Sequence, residues 1–261
     1  MTRAAEPPDA VLRYAGHSDA VVDVFLPVGL GRPEHPSPPV VLIHGGFWRA
    51  EYDRVHVRPL ADALRRRGFA VAVPEYRRVG GAGGWPRTAD DVEVALAAVP
   101  GMLGEVAPGY VDPGALPVLA GHSAGGHLAL WAGLRAGSRR VAAIVALAPV
   151  TDLLYAARVR MGDGAVQELL GGEPRDLPGR YADADVVSML PSAVVPVTII
   201  QGDADAQVPA EMNRGVAARH DGPAVNYVEL AGVDHFALID PLSPVFESTL
   251  LPALERAAGS G

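Results

Sequence analysis

The chain has 261 residues, 49% of them hydrophobic and 20% charged, which fits one generous α/β domain with a sizeable core and excludes intrinsic disorder. The formal net charge is -8 and every basic residue is arginine, so the surface argues against nucleic acid, a polyanion that must be met by a basic patch. There are no cysteines, which removes disulfides, thiolate metal sites and cysteine nucleophiles together.

The opening stretch Met1-Thr2-Arg3-Ala4-Ala5-Glu6-Pro7-Pro8 lacks the apolar core of a signal peptide. No segment offers the roughly 18 uninterrupted apolar residues of a membrane span. A cytoplasmic protein with no membrane partner is the expectation. Residues 29–39, rich in Gly and Pro, read as a surface loop.

Short apolar runs then alternate with amphipathic stretches, the pattern of a mostly parallel sheet covered by helices on both faces. Strands are predicted at residues 21–27, 40–43, 70–74, 116–120, 141–147, 195–201 and 225–230. The continuous runs Val40-Val41-Leu42-Ile43 and Val197-Thr198-Ile199-Ile200 suit interior strands buried on both faces. Helices are predicted at 57–67, 90–99, 124–134, 210–219 and 244–257. Arg65-Arg66-Arg67 reads as a solvated helix end that complements the helix dipole. Residues 151–191, dense in Gly and Pro, read as loops and short helices between two core strands, where a cap-like insertion or a surface excursion fits.

The strongest local signal is Gly121-His122-Ser123-Ala124-Gly125, entered from an apolar run and followed by an Ala- and Leu-rich helix. That strand–turn–helix setting is what a nucleophile elbow needs, with glycines allowing the sharp turn and the helix start facing a developing oxyanion. A serine helix cap flanked by packing glycines is the plain structural alternative. A serine hydroxyl needs a base, itself oriented by an acid. Of eight histidines, His235 in Gly232-Val233-Asp234-His235-Phe236 follows the last predicted strand and falls at the elbow's edge of the sheet. His122 and His127 are committed by the turn and helix, while His17, His35, His56 and His220 suit solvated positions.

For the acid, the turn Gly202-Asp203-Ala204-Asp205 follows the strand that ends at Gln201. Asp205 is the first choice, Asp203 the second, with a turn-capping role as its alternative, and Asp152 the third. The three then fall in the chain order Ser123, Asp205, His235, each in a turn at a strand end. A fourth element, His44-Gly45-Gly46-Phe47-Trp48, follows the strand at 40–43, and its glycines let backbone N–H groups approach a substrate oxygen. The expected oxyanion hole is the Ala124 N–H with an N–H from Gly46 or Phe47. His44, Gly45, Trp48 and Trp85 are expected at the substrate, although either tryptophan serves equally as plain packing. The glycine-rich segment 79–85 lacks both G-x-G-x-x-G and a Walker lysine and reads as a flexible loop. No spacing of His, Asp and Glu resembles a metal site, and no cofactor is expected.

Together the HGGFW segment, the elbow with Gly126-His127-Leu128-Ala129, Asp205 before Val208-Pro209, and His235-Phe236 resemble the esterase/lipase branch of the α/β-hydrolase superfamily. Within it the HGGxW form is similar to kynurenine formamidases (arylformamidases) and bacterial carboxylesterases. Two departures stand out: Phe47 replaces a third glycine, and Asp234 precedes the histidine where glycine is common. The Asp234 carboxylate is expected to perturb His235 or to face solvent.

The resemblance implies an α/β-hydrolase fold and a two-step reaction through an acyl-serine, with a small-molecule ester or formamide as partner. A carboxylesterase for small or aromatic short-acyl esters leads. An arylformamidase follows, and a non-catalytic ligand-binding protein on the same fold is the alternative of a different class.

Overall fold

The computed structural model describes residues 5–28, 38–111, 114–219 and 224–259, so most of the loop expected at 29–39, together with His35 and His220, lies outside the described residues. Eight strands form one sheet: β1 (Ala10–Arg13), β2 (Val21–Phe25), β3 (Val40–Ile43), β4 (Val71–Pro74), β5 (Val118–His122), β6 (Ala143–Leu147), β7 (Val197–Gly202) and β8 (Val225–Leu230). Their spatial order is β1-β2-β4-β3-β5-β6-β7-β8. β1 and β2 run antiparallel to their neighbours, and the strands from β4 to β8 are parallel.

The apolar runs of β3 to β7 are continuous because both faces of the sheet are covered. Val41, Ile43, Leu119, Ile144, Ala146 and Ile199 point into one core, and Val40, Leu42, Val118, Val145, Leu147 and Ile200 into the other. The first core is closed by α2 (Arg87–Val106), α3 (Ala124–Ala136) and α7 (Ala210–Ala217), through residues such as Val92, Leu128 and Met212. The second is closed by α1 (Arg58–Arg65) and α8 (Leu251–Ala258), through Leu60, Leu64, Leu251 and Leu254.

Several elements depart from the sequence expectation. β1 lies outside the expected strands; it is an edge strand of alternating half-buried and exposed residues, and its apolar run, Ala10-Val11-Leu12, is too short to mark it. α2 runs through Pro100 to Val106 instead of stopping at 99, because Leu103 beyond the proline is fully buried and holds the last turns against the core. The final helix divides into a π-helical turn, Phe246–Leu250, and α8, whose Pro252 has no N–H to continue the regular ladder. Arg65 is not solvated: it is buried, with ion pairs to Asp62 at 2.7 Å and Asp9 at 3.0 Å.

The segment 151–191 holds three short helices, α4 (Leu153–Arg158), α5 (Met161–Leu170) and α6 (Pro178–Ala184). They are anchored in the first core by Leu153, Val166, Leu169, Leu170 and Tyr181. Hydrogen bonds fasten α6 to α3 and to the turn before α2: Trp85 Nε1 donates to Asp183 Oδ2 at 2.8 Å, Trp131 Nε1 to the Asp183 carbonyl at 2.7 Å, and His127 Nε2 to the Ala184 carbonyl at 2.9 Å.

Candidate active site

Ser123 stands between β5 and α3 with φ 57° and ψ -121°, a strained backbone for a residue with a side chain. Such strain costs about 1–3 kcal/mol and persists only where the surroundings over-determine it. Here they do. A Cβ on Gly121 would lie 2.3 Å from the Gly125 carbonyl oxygen, and one on Gly125 would lie 2.3 Å from the carbonyl oxygens of Ile43 and His44. The glycines let α3 start hard against β3 and β5, and the Ser123 N–H is fixed on the Leu147 carbonyl at 2.8 Å. The Ser123 side chain makes no capping hydrogen bond to its helix, which removes the plain helix-cap alternative.

His235 lies beyond β8 and is buried. Its Nδ1 donates to Asp205 Oδ2 at 2.6 Å, which leaves Nε2 as the acceptor nitrogen. Asp205 is held on every side: Oδ1 accepts the N–H groups of Gln207 and Val208, both at 2.8 Å, and Oδ2 also accepts Gln201 Nε2 at 3.1 Å. Asp203 accepts the Gly232 N–H at 2.6 Å and so caps the turn that leads to His235, while Asp152 caps α4 through the Tyr155 N–H. The Asp234 carboxylate accepts the N–H groups of Phe236 and Ala237 at 2.9 and 2.8 Å, closing the turn that carries His235.

The loop after β3 has three successive residues at positive φ: Gly46 at 106°, Phe47 at 52° and Trp48 at 57°. The Arg49 N–H closes this turn on the Gly46 carbonyl at 3.0 Å. The first turn of α3 leaves N–H groups without intrahelical partners, at the positive end of the helix. Ser123, His235, Gly46 and Phe47 all border one cavity of about 290 Å³, completed by Tyr52, His56, His122, Gln207, Phe236 and Ile239.

Four residues expected at the substrate are not in that lining. His44 is fully buried, with Nε2 2.7 Å from Glu75 Oε1 and Nδ1 2.8 Å from the Gly45 carbonyl oxygen, and it stacks on Tyr76. Gly45 is pressed against the elbow, where a Cβ would lie 3.1 Å from Ser123 Cβ. Trp48 and Trp85 are buried, each packed on the His127 ring. These four build the support beneath the cavity because their ring or backbone surfaces are consumed by packing.

Sequence reasoning also missed lining residues. His56, expected in solvent, borders the cavity because the 3₁₀ turn Arg54–Val57 folds it toward the His44 loop. Its Nδ1 donates to the Asp53 carbonyl at 2.6 Å. Burial, and then the neighbouring His44, push its pKa down to about 4. His122 donates from Nε2 to the His235 carbonyl at 3.0 Å, with ring centroids 4.3 Å apart, and burial holds it neutral, well below the usual imidazole range. Burial works against the ionised form of Glu75, but the His44 hydrogen bond and charge, Arg78 and the Arg54 N–H outweigh it and hold its pKa below 4.5. Behind Asp205, Gln201 Oε1 accepts Asn213 Nδ2 at 2.7 Å, and Asn213 Oδ1 accepts the Thr151 hydroxyl at 2.6 Å. A glutamine ending an apolar strand is the one visible signal of that buried network.

The BD-FAE family profile matches residues 22–219. Esterase LipC of Mycobacterium tuberculosis (strain ATCC 25618 / H37Rv) is 26% identical over 227 residues, covering 80% of this chain and 55% of its own length. The chain thus spans about half the length of that curated relative. Among solved structures, Esterase B from Lactobacillus Rhamnosis (HN001) is similar at a TM-score of 0.78 and 20% identity, over 98% of this chain and 88% of its own. A truncated carbohydrate esterase from gut microbiota superposes at a TM-score of 0.77 with 19% identity, over 98% and 99% of the two chains. Thermogutta terrifontis Est2 with bound propionate gives a TM-score of 0.71 and 23% identity, over 97% and 94%. These likenesses establish the α/β-hydrolase fold.

Proposed function

Because the chain belongs to the BD-FAE family, in the esterase branch of the α/β-hydrolases, we propose that it is a serine carboxylesterase for small, short-acyl esters. The observation that carries this reading is the 2.6 Å bond between His235 Nδ1 and Asp205, with His235 and the strained Ser123 bordering the same cavity. With Nδ1–H committed to Asp205, His235 Nε2 takes the Ser123 proton as the serine oxygen attacks the ester carbonyl. The Ala124 N–H and the N–H of Gly46 or Phe47 hold the oxyanion, and the alcohol leaves with the proton from His235. Water, deprotonated by the same nitrogen, then attacks the acyl-serine, releases the acid and returns the proton to Ser123.

A cavity of about 290 Å³ with Phe47, Phe236 and Ile239 in its wall favours small acyl groups. The propionate held by Thermogutta terrifontis Est2, on the same fold, agrees with that size. Asp205 fixes the imidazole and stabilises its cation.

The test is kcat/KM on p-nitrophenyl acetate beside N-formyl-L-kynurenine, with Ser123→Ala as the blank. Ester turnover with a loss of several orders of magnitude in Ser123→Ala is the expected result. Turnover of the formamide far above the ester would make the protein an arylformamidase instead. Equal ester rates in Ser123→Ala and the unmodified protein would remove Ser123 as nucleophile.

A further inference from the structure

Phe47, in the wall of the cavity, is held in place by the insertion. α5 begins with a left-handed turn in which Gly162 has φ 57°, Asp163 φ 56° and Gly164 φ 87°, preceded by Arg160 at φ 51°. A Cβ on Gly162 would stand 2.5 Å from Phe47 Cε1 and 2.6 Å from Cδ1, far inside the ~3.5 Å at which carbon atoms touch. Phe47 borders the cavity and Gly162 does not, and Gly162 packs against the Cδ1–Cε1 edge of the Phe47 ring. Arg49 ties the layers together. Its Nη2 donates to the Gly162 carbonyl at 2.7 Å, its Nε to Glu168 at 2.7 Å, and its guanidinium lies 5.9 Å from the Phe47 ring centroid.

The backbone alone does not demand a glycine here. Asp163 and Arg160 hold nearly the same positive φ with full side chains. What Gly162 uniquely provides is room for the ring. We propose that Gly162 is a specificity-determining position, whose missing side chain lets Phe47 sit back and so sets how large an acyl or alcohol group the cavity accepts. The proposal rests on the esterase reading of the same site, and it gives the insertion a role in that site without any of its residues lining the cavity. A methyl group at 162 forces the ring toward the cavity, and a change of one methylene in a pocket is worth about tenfold or more in discrimination.

The test compares the ratio of kcat/KM for p-nitrophenyl hexanoate to that for p-nitrophenyl acetate in four proteins. These are the unmodified protein, Gly162→Ala, Gly164→Ala, and Gly162→Ala combined with Phe47→Leu. Gly164→Ala adds a side chain at positive φ in the same turn, but its Cβ faces the Arg160 guanidinium at 3.0 Å rather than Phe47.

The ratio is expected to fall about tenfold in Gly162→Ala, to change less than about twofold in Gly164→Ala, and to recover in the double variant. An unchanged ratio in Gly162→Ala, or an equal fall in Gly164→Ala, would overturn the proposal. Should Gly162→Ala not fold, the double variant must fold if Phe47 is what the methyl group meets; its failure also overturns the idea. If the unmodified protein cleaves neither ester, the esterase reading falls. Crystal structures of the unmodified protein and Gly162→Ala then decide: a displaced Phe47 ring supports the proposal and a coincident ring refutes it.

Discussion

His127 and His56 hold their rings neutral for the same first reason, burial, and each has its pKa pushed down to about 4 from the ordinary 6.5. In the unfolded chain both take up a proton near 6.5. Between pH 6.5 and 4 the unfolded state therefore binds more protons, and stability falls as pH falls. The contribution is fully present above 6.5 and is lost progressively toward 4. Calorimetry should show a Tm that is level above neutrality and declines from pH 6.5 downward, with a shallower decline in His127→Gln. An identical slope in that variant would show that His127 is not one of the groups responsible. Asp205 is the other residue whose chemistry is open to direct measurement. Asp205→Asn keeps an oxygen for the Gln207 and Val208 N–H groups but turns an amide donor toward His235, favouring the wrong tautomer. kcat on p-nitrophenyl acetate should drop by on the order of 10³–10⁴; near-complete retention would mean that another group orients His235.

At the scale of elements, the site is a seam between β3, β5 and the start of α3, closed by backbone on backbone. Gly125 is as tight a point as Gly121, since its α-carbon faces the Ile43 and His44 carbonyls with no room for a methyl group. Gly125→Ala is expected to lower Tm and activity together, at the upper end of the ~1–3 kcal/mol typical of overpacking. Gly215 sits in α7, where an added Cβ would meet nothing within 4 Å, and Gly215→Ala should raise Tm slightly through helix propensity. If the two substitutions gave equal Tm changes, the seam would be looser than the geometry indicates. The helices of 151–191 belong to this scale as well. Their Gly and Pro content hides the apolar residues that anchor them, because those residues are spread over three short helices rather than one periodic stretch.

Over the whole molecule, one sheet separates two cores, and Trp48, Trp85 and Trp131 all lie in the same one. Tryptophan fluorescence therefore reports one side of the sheet, whereas far-ultraviolet circular dichroism reports every helix and strand. Because strands β3 to β7 contribute side chains to both cores, the two signals should trace a single denaturation curve. Separated midpoints would show that the two sides unfold independently. Among the described residues no helix is long and apolar enough to cross a membrane.

Local pattern was enough, in the sequence alone, for the elements whose chemistry is local. β3 begins and ends where its apolar run does, β8 keeps the bounds expected for it at 225–230, and the glycines around Ser123 announced a turn that only they permit. The same kind of signal marked Asp205 and His235, each in a turn directly after a strand. Tertiary structure decided what depends on surfaces far apart in the chain. It buried His44, Trp48 and Trp85 beneath the cavity, carried His56 to its wall, and set Gly162 against the ring of Phe47, 115 positions earlier in the sequence. A side chain's exposure is the result of what the rest of the chain packs against it, and neither residue type nor spacing along the sequence contains that information.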